Sequence, residues 1–397
     1  MPLHRHRHDV VVVGARAAGA ATALLLARWG HDVVLVDRAE FPSDTVSTHQ
    51  IARPGVVQLH RWGLLDTVLA SGAPAIHEVT FAAEGEAVTR TVKHSAGVDL
   101  LVAPRRYIVD TILVEAAARA GVHVRQGVAI SEVRRDPAGR ATGVSGHDAS
   151  GAPVEIDARF VVGADGLASM VARRVGAEVI EDRGRNGSVR YAYYEGIAWR
   201  GIELFIAERA LIGVFPTHDR QACVWVGSPS ADAMAARRRA PSAVVAFNDQ
   251  LRAAAPELAD RLREGRRVSR ITGMFRMPNL LRRAQGPGWA LVGDAGYHRD
   301  AVTGYGLSDA YRDAELLACA LHRSLTGQAD ETSALAGYQR ERDEALREVF
   351  EVTCSLSAYP AVPDFVGLQK RLSRAIEVEA ARLATQPIPG GPELART

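Results

Sequence analysis

The segment that most constrains the fold is Val10–Asp37, which runs VVVVGARAAGAATALLLARWGHDVVLVD. Its four consecutive valines predict a strand that is buried on both faces, as in a parallel sheet. An alanine- and leucine-rich helix is expected over about 17–29, ended by Gly30 and followed by a second buried strand over 33–36. This strand–turn–helix–strand unit is the setting in which a glycine-rich turn indicates a dinucleotide site.

The turn and the helix of this unit have separate expected roles. Gly14 permits the tight turn, Ala15 and Ala18 accompany it as cofactor contacts, and Gly19 lets the helix approach the strand. The helix N-terminus then offers unpaired N–H groups and a partial positive charge to a pyrophosphate. Asp37 follows Gly19 by eighteen residues and suits a bidentate acceptor for ribose hydroxyls.

One position departs from the fingerprint, because Arg16 stands where a second glycine is expected. The departure is tolerable if the Arg16 Cβ points away from the phosphates. By itself this unit is compatible with an FAD site, with an NAD site, or with an ordinary βαβ unit that binds no dinucleotide. After Asp37, however, the polar segment Phe41–Ile51 interrupts the spacing expected of a nicotinamide dehydrogenase, which favours FAD.

Composition narrows the class of protein. A chain of 397 residues, 47% hydrophobic and 24% charged, is long enough for two intimately connected domains. A net charge of +2 gives no reason to expect a nucleic-acid partner, and no apolar run is long enough to predict a membrane span. The three cysteines lack metal-ligand spacing and fit a reducing, cytoplasmic compartment. His4, His6 and His8 alternate and could bind a metal adventitiously, but a solvated arm is the favoured interpretation, so no metal site is predicted.

The rest of the chain predicts an α/β fold, in which a Rossmann-like FAD-binding domain is interleaved with an antiparallel β-sheet substrate domain and C-terminal helices. Aromatic and polar residues alternate over 186–276, which indicates the antiparallel sheet. A helical insert is expected within it over about 231–264, and further helices are expected from Leu307 to about 358. The expected division is 1–75, 100–180 and 277–320 for the FAD-binding domain, 76–99 and 181–276 for the substrate domain, and 321–397 for C-terminal helices with a frayed tail.

Three acids share one pattern, since Asp37, Asp165 and Asp294 each end a predicted buried strand, the last two over 158–165 and 289–294. Strand C-termini in an open α/β sheet surround the ligand crevice. Asp294 is the second residue of the stretch GDAGYHRDAVTGYG, which begins at Gly293, and it is poised to accept a hydroxyl from a polyol chain.

The end of that stretch predicts a second helix N-terminus at the ligand. Gly304 and Gly306 would bring the backbone close to the ligand and open a helix near Leu307. Its positive end suits the N1–C2=O edge of a reduced flavin.

In these motifs the chain resembles the single-component FAD-dependent aromatic monooxygenases of the para-hydroxybenzoate hydroxylase fold, which are similar to flavin-dependent halogenases and geranylgeranyl reductases. Gly14–Gly19 with Asp37 resembles the FAD-ADP motif. Asp165–Gly166, within VGADGLASMVAR, resembles the motif that touches both FAD and the visiting NADPH. Gly293–Asp294 through Gly306 resembles the motif that holds the ribityl and pyrophosphate groups.

The resemblance also implies roles for single residues. Arg106 is similar to the family's FAD-contacting arginine, with Arg105 as its rival. The segment with Thr48 and His49 resembles the region beside the isoalloxazine, and Ala301 stands where the family usually has a proline.

The implied reaction uses NADPH or NADH to reduce FAD without a second Rossmann domain. Reduced flavin would bind O₂ as a C4a-hydroperoxide, whose distal oxygen passes to a small electron-rich aromatic or heteroaromatic substrate. The candidates for substrate and proton chemistry, each set against a structural role, are His49, His298, Tyr193 and Arg190, together with His218, Trp225 and Asp300. Arg38 could contact an NADP phosphate, although a solvated surface is favoured.

Three alternatives stay open from the sequence. A halogenase would usually carry a W-x-W-x-I-P segment and an assisting lysine, whereas the closest string is VWVG at 224–227 and Lys93 lies in an apparent hairpin. A prenyl-type flavin reductase and a non-catalytic FAD carrier or sensor are the others. The sequence leaves a monomer and a homodimer equally open.

Overall fold

A computed structural model describes residues 6–47 and 50–390. The first part of the chain forms β1 (Arg7–Val13), α1 (Ala17–Arg28), β2 (Val33–Val36), α2 (Arg53–Arg61), α3 (Leu65–Ala70), β3 (Glu78–Ala83), β4 (Glu86–Thr91), α4 (Arg106–Arg119) and β5 (His123–Arg125). The middle forms β6 (Val128–Arg135), β7 (Ala141–Asp148), β8 (Pro153–Gly163), α5 (Met170–Val175), β9 (Val179–Asp182), β10 (Gly187–Glu195), β11 (Ile202–Ala207), β12 (Ala210–Pro216) and β13 (Ala222–Pro229). The remainder forms α6 (Ser230–Arg239), α7 (Ala243–Ala254), α8 (Pro256–Glu264), β14 (Arg266–Arg267), β15 (Thr272–Met274), β16 (Leu280–Arg282), β17 (Gln285–Gly286), β18 (Trp289–Leu291), β19 (Tyr297–His298), α9 (Gly306–Leu325), α10 (Glu331–Leu356) and α11 (Val362–Thr385).

The valine run forms the centre of a parallel sheet, as the sequence predicts. Strands β18, β8, β1, β2 and β5 lie side by side in parallel, and the antiparallel pair β6–β7 extends the sheet from β8. Val10 and Val12 face a core that includes α1 and α4, whereas Val11 and Val13 face β6, β7 and α5. Covering on both faces explains why β1 has no polar residue after Asp9.

The second sheet is mostly antiparallel and has two differently packed faces. Its strand order is β14–β10–β13–β12–β11–β3–β4, with β11 and β3 parallel. One face, which includes Tyr191, Tyr193 and Trp225, joins the same core as the parallel sheet. The opposite face, which includes Ala192 and Val226, is covered by α7 and α8. This alternation confirms the predicted antiparallel region and its helical insert.

Three elements differ from the sequence expectations. Apolar residues at 56, 57, 59 and 64 predict one short helix over about 54–65, or on to Ala70, whereas the chain forms two helices, α2 and α3, because Gly63 takes a φ of +70° between them. The strand expected to run to Asp294 ends at Leu291. A further helix of 24 residues, α11, follows the break at Pro360, with Pro363 in its first turn where its missing N–H is harmless.

The proposed domain division stays a prediction, since one hydrophobic core runs from β1 through β13 to α11. The end of the predicted frayed tail, residues 391–397, lies outside the described residues. Within the described ranges, every helix is too short or too polar to cross a membrane.

Candidate functional site

A cavity of about 790 Å³ lies at the C-terminal ends of β1, β2 and β8. The turns after these strands form one wall, and the segment 298–310 forms another. Residues 44–47 and Gln50 close one side, while Val189, Met274 and Met277 bring the second sheet to the far end. The cavity therefore joins the dinucleotide fingerprint to the predicted substrate sheet.

The turn after β1 exposes the N-terminus of α1 to this cavity. Gly14 has a φ of +105°, and a Cβ there would lie 2.4 Å from the Ala164 carbonyl oxygen, so the turn requires glycine. No side chain caps α1, and Ala17 and Ala18 line the cavity. The first N–H groups of the helix are thus available to an anion, as the fingerprint predicts. Gly19 lies behind the wall, where a Cβ would collide with the Gly14 carbonyl.

Asp37 follows β2 directly and shapes its own turn. Its carboxylate accepts hydrogen bonds from the backbone N–H of Ala15 at 2.7 Å and of Ala39 at 2.8 Å. Since an ionised carboxylate has about four acceptor positions, these two bonds leave room for ribose hydroxyls. Arg38 is exposed beside it and also lines the cavity.

Arg16, the departure from the fingerprint, lines the cavity and hydrogen-bonds with its guanidinium to two neighbouring segments. It donates to the Asp110 carboxylate at 2.9 Å, to the Ser43 carbonyl at 3.1 Å and to the Asp44 carbonyl at 3.2 Å. The side chain therefore ties the segment 41–47 to α4. This role was missed from the sequence, where the arginine stands out only as a missing glycine.

The two rival arginines at the start of α4 point to different places. Arg106 lines the cavity, and its Nη2 donates to both oxygens of the fully buried Asp110 at 3.1 and 3.0 Å. Arg105 instead donates to Asp44 at 2.8 Å and stacks 3.8 Å above the ring of Tyr193. Of the two, only Arg106 lines the cavity.

Asp165 and Gly166 line the cavity, but the Asp165 carboxylate has a structural role as well. It accepts the Ser169 hydroxyl at 2.6 Å and the N–H groups of Met170 at 2.6 Å and Val171 at 3.0 Å. These bonds stabilise the start of α5. These hydrogen bonds therefore support a structural role for Asp165 in forming this turn.

Asp294 lies in a 3₁₀ turn, Gly293–Ala295, with an exposed side chain on the cavity wall. Gly293 itself is buried, and a Cβ there would meet the Ala18 Cβ at 2.8 Å, so this glycine lets the turn pack against α1. The contact between Gly293 and Ala18 holds Asp294 beside the α1 N-terminus.

The segment before α9 opens a second helix N-terminus into the cavity. Gly304 has a φ of +59°, and α9 begins at Gly306 without a side-chain cap. Gly306 and Leu307 line the cavity, and a Cβ on Gly306 would meet no atom within 4 Å. Two uncapped N-termini, those of α1 and α9, therefore face one space.

His298 and Asp300 both line the cavity in the segment before α9. His298 Nδ1 lies 2.7 Å from the Pro278 carbonyl oxygen. Because a carbonyl only accepts, Nδ1 carries the proton and Nε2 is an acceptor in the neutral ring. Asp300 is 1% exposed and accepts the Val302 N–H at 3.0 Å. Burial raises the pKa of Asp300 to about 7, against the opposing effect of the Val302 and Gly187 N–H groups.

The other substrate candidates lie away from the cavity wall. Tyr193 is on the cavity-facing side of its sheet but beneath Arg105. Arg190 pairs with Val226, whose side chain packs on the opposite face towards α7 and α8, so alternation places Arg190 there too. His218 contacts Ser71 Oγ at 3.0 Å, and its Nδ1 accepts the Arg105 N–H at 3.3 Å.

Trp225 is 2% exposed in the core and does not line the cavity either. His49 and Thr48 lie outside the described residues. Val189 of β10, Met274 of β15 and Met277 in the segment after β15 do reach the cavity and were missed, although Val189 shares its face with Tyr191 and Tyr193.

These groups fit FAD. Two uncapped helix N-termini suit an anionic pyrophosphate and an electron-rich ring edge, and the carboxylates of Asp37 and Asp294 suit sugar hydroxyls.

Comparison with known proteins agrees with this fit. A model of the FAD-binding domain family matches residues 7–353. Digeranylgeranylglycerophospholipid reductase from Methanocella arvoryzae is 24% identical over 86% of this chain and 84% of its own length. Kynurenine 3-monooxygenase from Salinispora arenicola is 25% identical over 86% of this chain and 77% of its own length.

Solved structures show the same fold. PqsL from Pseudomonas aeruginosa, described as a probable FAD-dependent monooxygenase, superposes with a TM-score of 0.77 at 23% identity and covers 92% of this chain and 100% of its own. The flavin-dependent brominase Bmp2 superposes with a TM-score of 0.80 at 17% identity and covers 97% of this chain and 96% of its own. The chain belongs to the FAD-binding domain family.

Proposed function

We propose that this protein uses NADPH or NADH and O₂ to hydroxylate a small electron-rich aromatic or heteroaromatic compound. One observation carries the proposal: a single cavity runs from the α1 N-terminus to an apolar end formed by Val189, Met274 and Met277. Bound FAD supplies hydride acceptance from the nicotinamide and activation of oxygen. The protein's part is to bind, to orient and to exclude water.

The FAD contacts are assigned from the cavity wall. The N–H groups at the start of α1 would hold the pyrophosphate, and Asp37 the adenosine ribose. Asp294 would accept ribityl hydroxyls, and the α9 N-terminus at Gly306 would face the N1–C2=O edge of the ring. Both helix termini would stabilise the negative charge that they face.

His298 is the proposed proton acceptor for the substrate. Its Nδ1–H is held by the Pro278 carbonyl, so Nε2 carries the lone pair at the cavity wall. Nε2 would accept a hydrogen bond from a substrate hydroxyl or N–H group, and taking a phenolic proton there would make the aromatic ring more electron-rich. Asp300 lines the same cavity and has a pKa raised by burial to about 7, so we propose it as a second group that holds a proton there.

The segment 41–47 would limit the access of water to this space. Arg16 holds it from the cofactor side through Ser43 and Asp44. Arg105 holds it through the Asp44 carboxylate, and the Ser47 N–H donates to the Tyr191 hydroxyl at 3.3 Å. Exclusion of water favours transfer of oxygen to substrate over loss of hydrogen peroxide.

A halogenase is the second candidate, favoured by the fold that this chain shares with Bmp2. The chain has only two lysines, Lys93 and Lys370, and neither lines the cavity. A halogenase that needs an assisting lysine is therefore disfavoured. The reductase alternative is favoured by the similarity to the Methanocella arvoryzae enzyme and differs in needing no oxygen.

The test is reduction of the bound flavin by NADPH or NADH without oxygen, with and without phenols, anilines and indoles. We expect one substrate class to accelerate bleaching of the flavin absorbance and, in air, to yield a product one oxygen atom heavier. Bleaching only with an added flavin reductase would support the halogenase. A reduced product formed without oxygen would support the reductase, and no stimulation by any compound would support the carrier or sensor.

A further inference from the structure

Four potential metal ligands meet at the edge of the parallel sheet opposite the cavity. His6 precedes β1 and His8 lies within it, Asp32 precedes β2, and His123 opens β5. Because these strands are parallel, their N-terminal ends lie at the same edge. The seven-residue β1 separates this edge from the α1 turn by roughly 20 Å.

The distances bring three imidazoles onto one carboxylate. Asp32 Oδ2 lies 2.6 Å from His6 Nε2, and Asp32 Oδ1 lies 3.0 Å from His8 Nδ1 and 3.4 Å from His123 Nε2. The ligand atoms of His6, His8 and Asp32 all lie within 4.8 Å of one another. Around a tetrahedral Zn²⁺ with bonds of about 2.0–2.1 Å, ligand atoms stand roughly 3.3 Å apart. His6, His8 and Asp32 are therefore close to the spacing of a zinc site, and His123, which contacts Asp32 and has its ring centroid 5.6 Å from that of His8, is positioned to supply the fourth ligand.

Three chain segments hold the set in place. The Asp32 carbonyl accepts the N–H groups of Asp9 at 3.0 Å and Val10 at 3.2 Å, and its own N–H donates to the Asp9 carboxylate at 3.1 Å. Strand register fixes His123 opposite Val34, two residues beyond Asp32. The position of Asp32 is thus set by the sheet and is independent of the ion.

The set also has access to solvent. A cleft of about 900 Å³ is lined by His6, His8 and His123, with Arg125 and Glu155 further along its wall. His8 is the most buried of the three imidazoles, with 17% of its side chain exposed, against 72% for His6 and 63% for His123. An ion can enter the site without any opening of the fold.

We propose that His6, His8, Asp32 and His123 form a Zn²⁺ site that cross-links β1, the turn before β2 and β5. Imidazole and carboxylate ligands in a tetrahedral set suit Zn²⁺. The contribution of Asp32 and His123 separates this site from adventitious binding by the alternating histidines of the N-terminal arm. The proposal is independent of the redox function, since the site lies at the other edge of the sheet.

The test measures Zn²⁺ binding to the FAD-loaded protein by competition with a chromophoric chelator, together with the shift in melting temperature on adding Zn²⁺. We expect one ion per chain and a Zn²⁺-dependent rise in melting temperature. Asp32→Asn and His123→Ala should each weaken binding about tenfold or more and abolish the rise, because each removes a ligand. His94→Ala, which removes an exposed histidine outside the cluster, is the matched control and should bind as the wild type does.

Two results would overturn the proposal. One is the absence of binding to the wild-type protein. The other is equal binding by the wild type, Asp32→Asn and His123→Ala, which would indicate an adventitious ion only, held by the N-terminal histidines. His123→Ala changes an exposed side chain, so it keeps the test valid if Asp32→Asn fails to fold.

Discussion

Asp37, Asp165 and Asp294 show how one sequence pattern can place three acids in different chemical situations. The carboxylate oxygens of Asp165 accept hydrogen bonds from the residues at the start of α5. Asp37 accepts two backbone N–H groups and still lines the cavity. Asp294 is exposed on the cavity wall. Their substitutions should therefore differ, with Asp165 affecting stability and Asp294 affecting the cofactor.

Asp294→Ala should release FAD, because it removes the carboxylate assigned to the ribityl hydroxyls. The measurement is the FAD content of the purified protein and its FAD dissociation constant. Asp294→Asn is the matched control and should retain more FAD, since the amide oxygen still accepts a hydrogen bond. An Asp294→Ala protein that purified yellow and fully active would contradict this assignment.

Asp300 should make stability depend on pH. Burial raises its folded-state pKa to about 7, above an unfolded value of about 3.9. The folded state then holds a proton that the unfolded state has released, so this contribution is complete below about pH 4 and is lost as the pH rises to about 7. The loss is about 1.4 kcal/mol per pH unit in that window.

Urea unfolding of the wild type and Asp300→Asn at pH 5 and pH 8 measures this effect. The asparagine variant carries no titrating group, so its stability relative to the wild type should increase from pH 5 to pH 8. Other groups that titrate in this range, such as Asp313 with a pKa raised by burial to about 6, cancel in the comparison. A constant difference between the two proteins would show that Asp300 does not titrate there.

Helices α1 and α9 each bring an uncapped N-terminus to the cavity. Both termini were located from glycines and flanking apolar residues. What the sequence did not indicate is that the turn at Gly293 packs on Ala18, which brings the two helix termini to one space. Arg16 likewise acts between elements, through Asp110 of α4.

Gly306→Ala should lower FAD affinity without destabilising the protein. A methyl group there meets no protein atom within 4 Å but enters the cavity at the start of α9. Gly367→Ala is the matched control, since Gly367 lies in α11, is exposed and also has open space around its Cβ. It should stabilise the protein by about 0.5–1 kcal/mol and leave FAD affinity unchanged.

FAD titration and thermal unfolding of both variants provide the measurements. Equal FAD affinity in Gly306→Ala and the wild type would indicate that no part of the cofactor lies against this helix terminus.

At the scale of the whole molecule, a buried ionic network joins the C-terminal helices to the segment before the cavity. Arg312, which is 1% exposed, donates to Asp309 at 2.8 Å, Asp313 at 2.9 Å, Glu379 at 3.4 Å and the Tyr297 hydroxyl at 2.7 Å. These contacts connect α9, α11 and β19. Such a network is costly to break, because the remaining carboxylates would be buried without their partner.

Arg312→Met should destabilise the protein by about 3–5 kcal/mol, measured by urea unfolding. The matched control is Arg371→Met, which removes an arginine from an ion pair with Glu348 in which both side chains are 49% exposed. That variant should lose less than about 1 kcal/mol, because water screens the exposed pair. Similar losses in the two variants would mean that the buried network is not holding these elements together.

The sequence by itself determined the parts that depend on local pattern. The pattern of valines, glycine and alanines over 10–37 predicts β1, α1 and β2. Strands buried on both faces need consecutive apolar residues, and tight turns need glycine, so both can be recognised from residues that are adjacent in the chain. The alternation of aromatic and polar residues over 186–276 predicts the second sheet, because successive side chains of a strand point to opposite faces.

Only the tertiary structure decided what depends on contacts between distant residues. It placed Arg190 behind the sheet and Val189 at the cavity, and it paired Arg16 with Asp110 across 94 positions of the chain. It also brought His123 to Asp32 and His8, since parallel strands align their starts wherever they occur in the chain. Side-chain partners of this kind are set by the packing of whole elements, which no local pattern records.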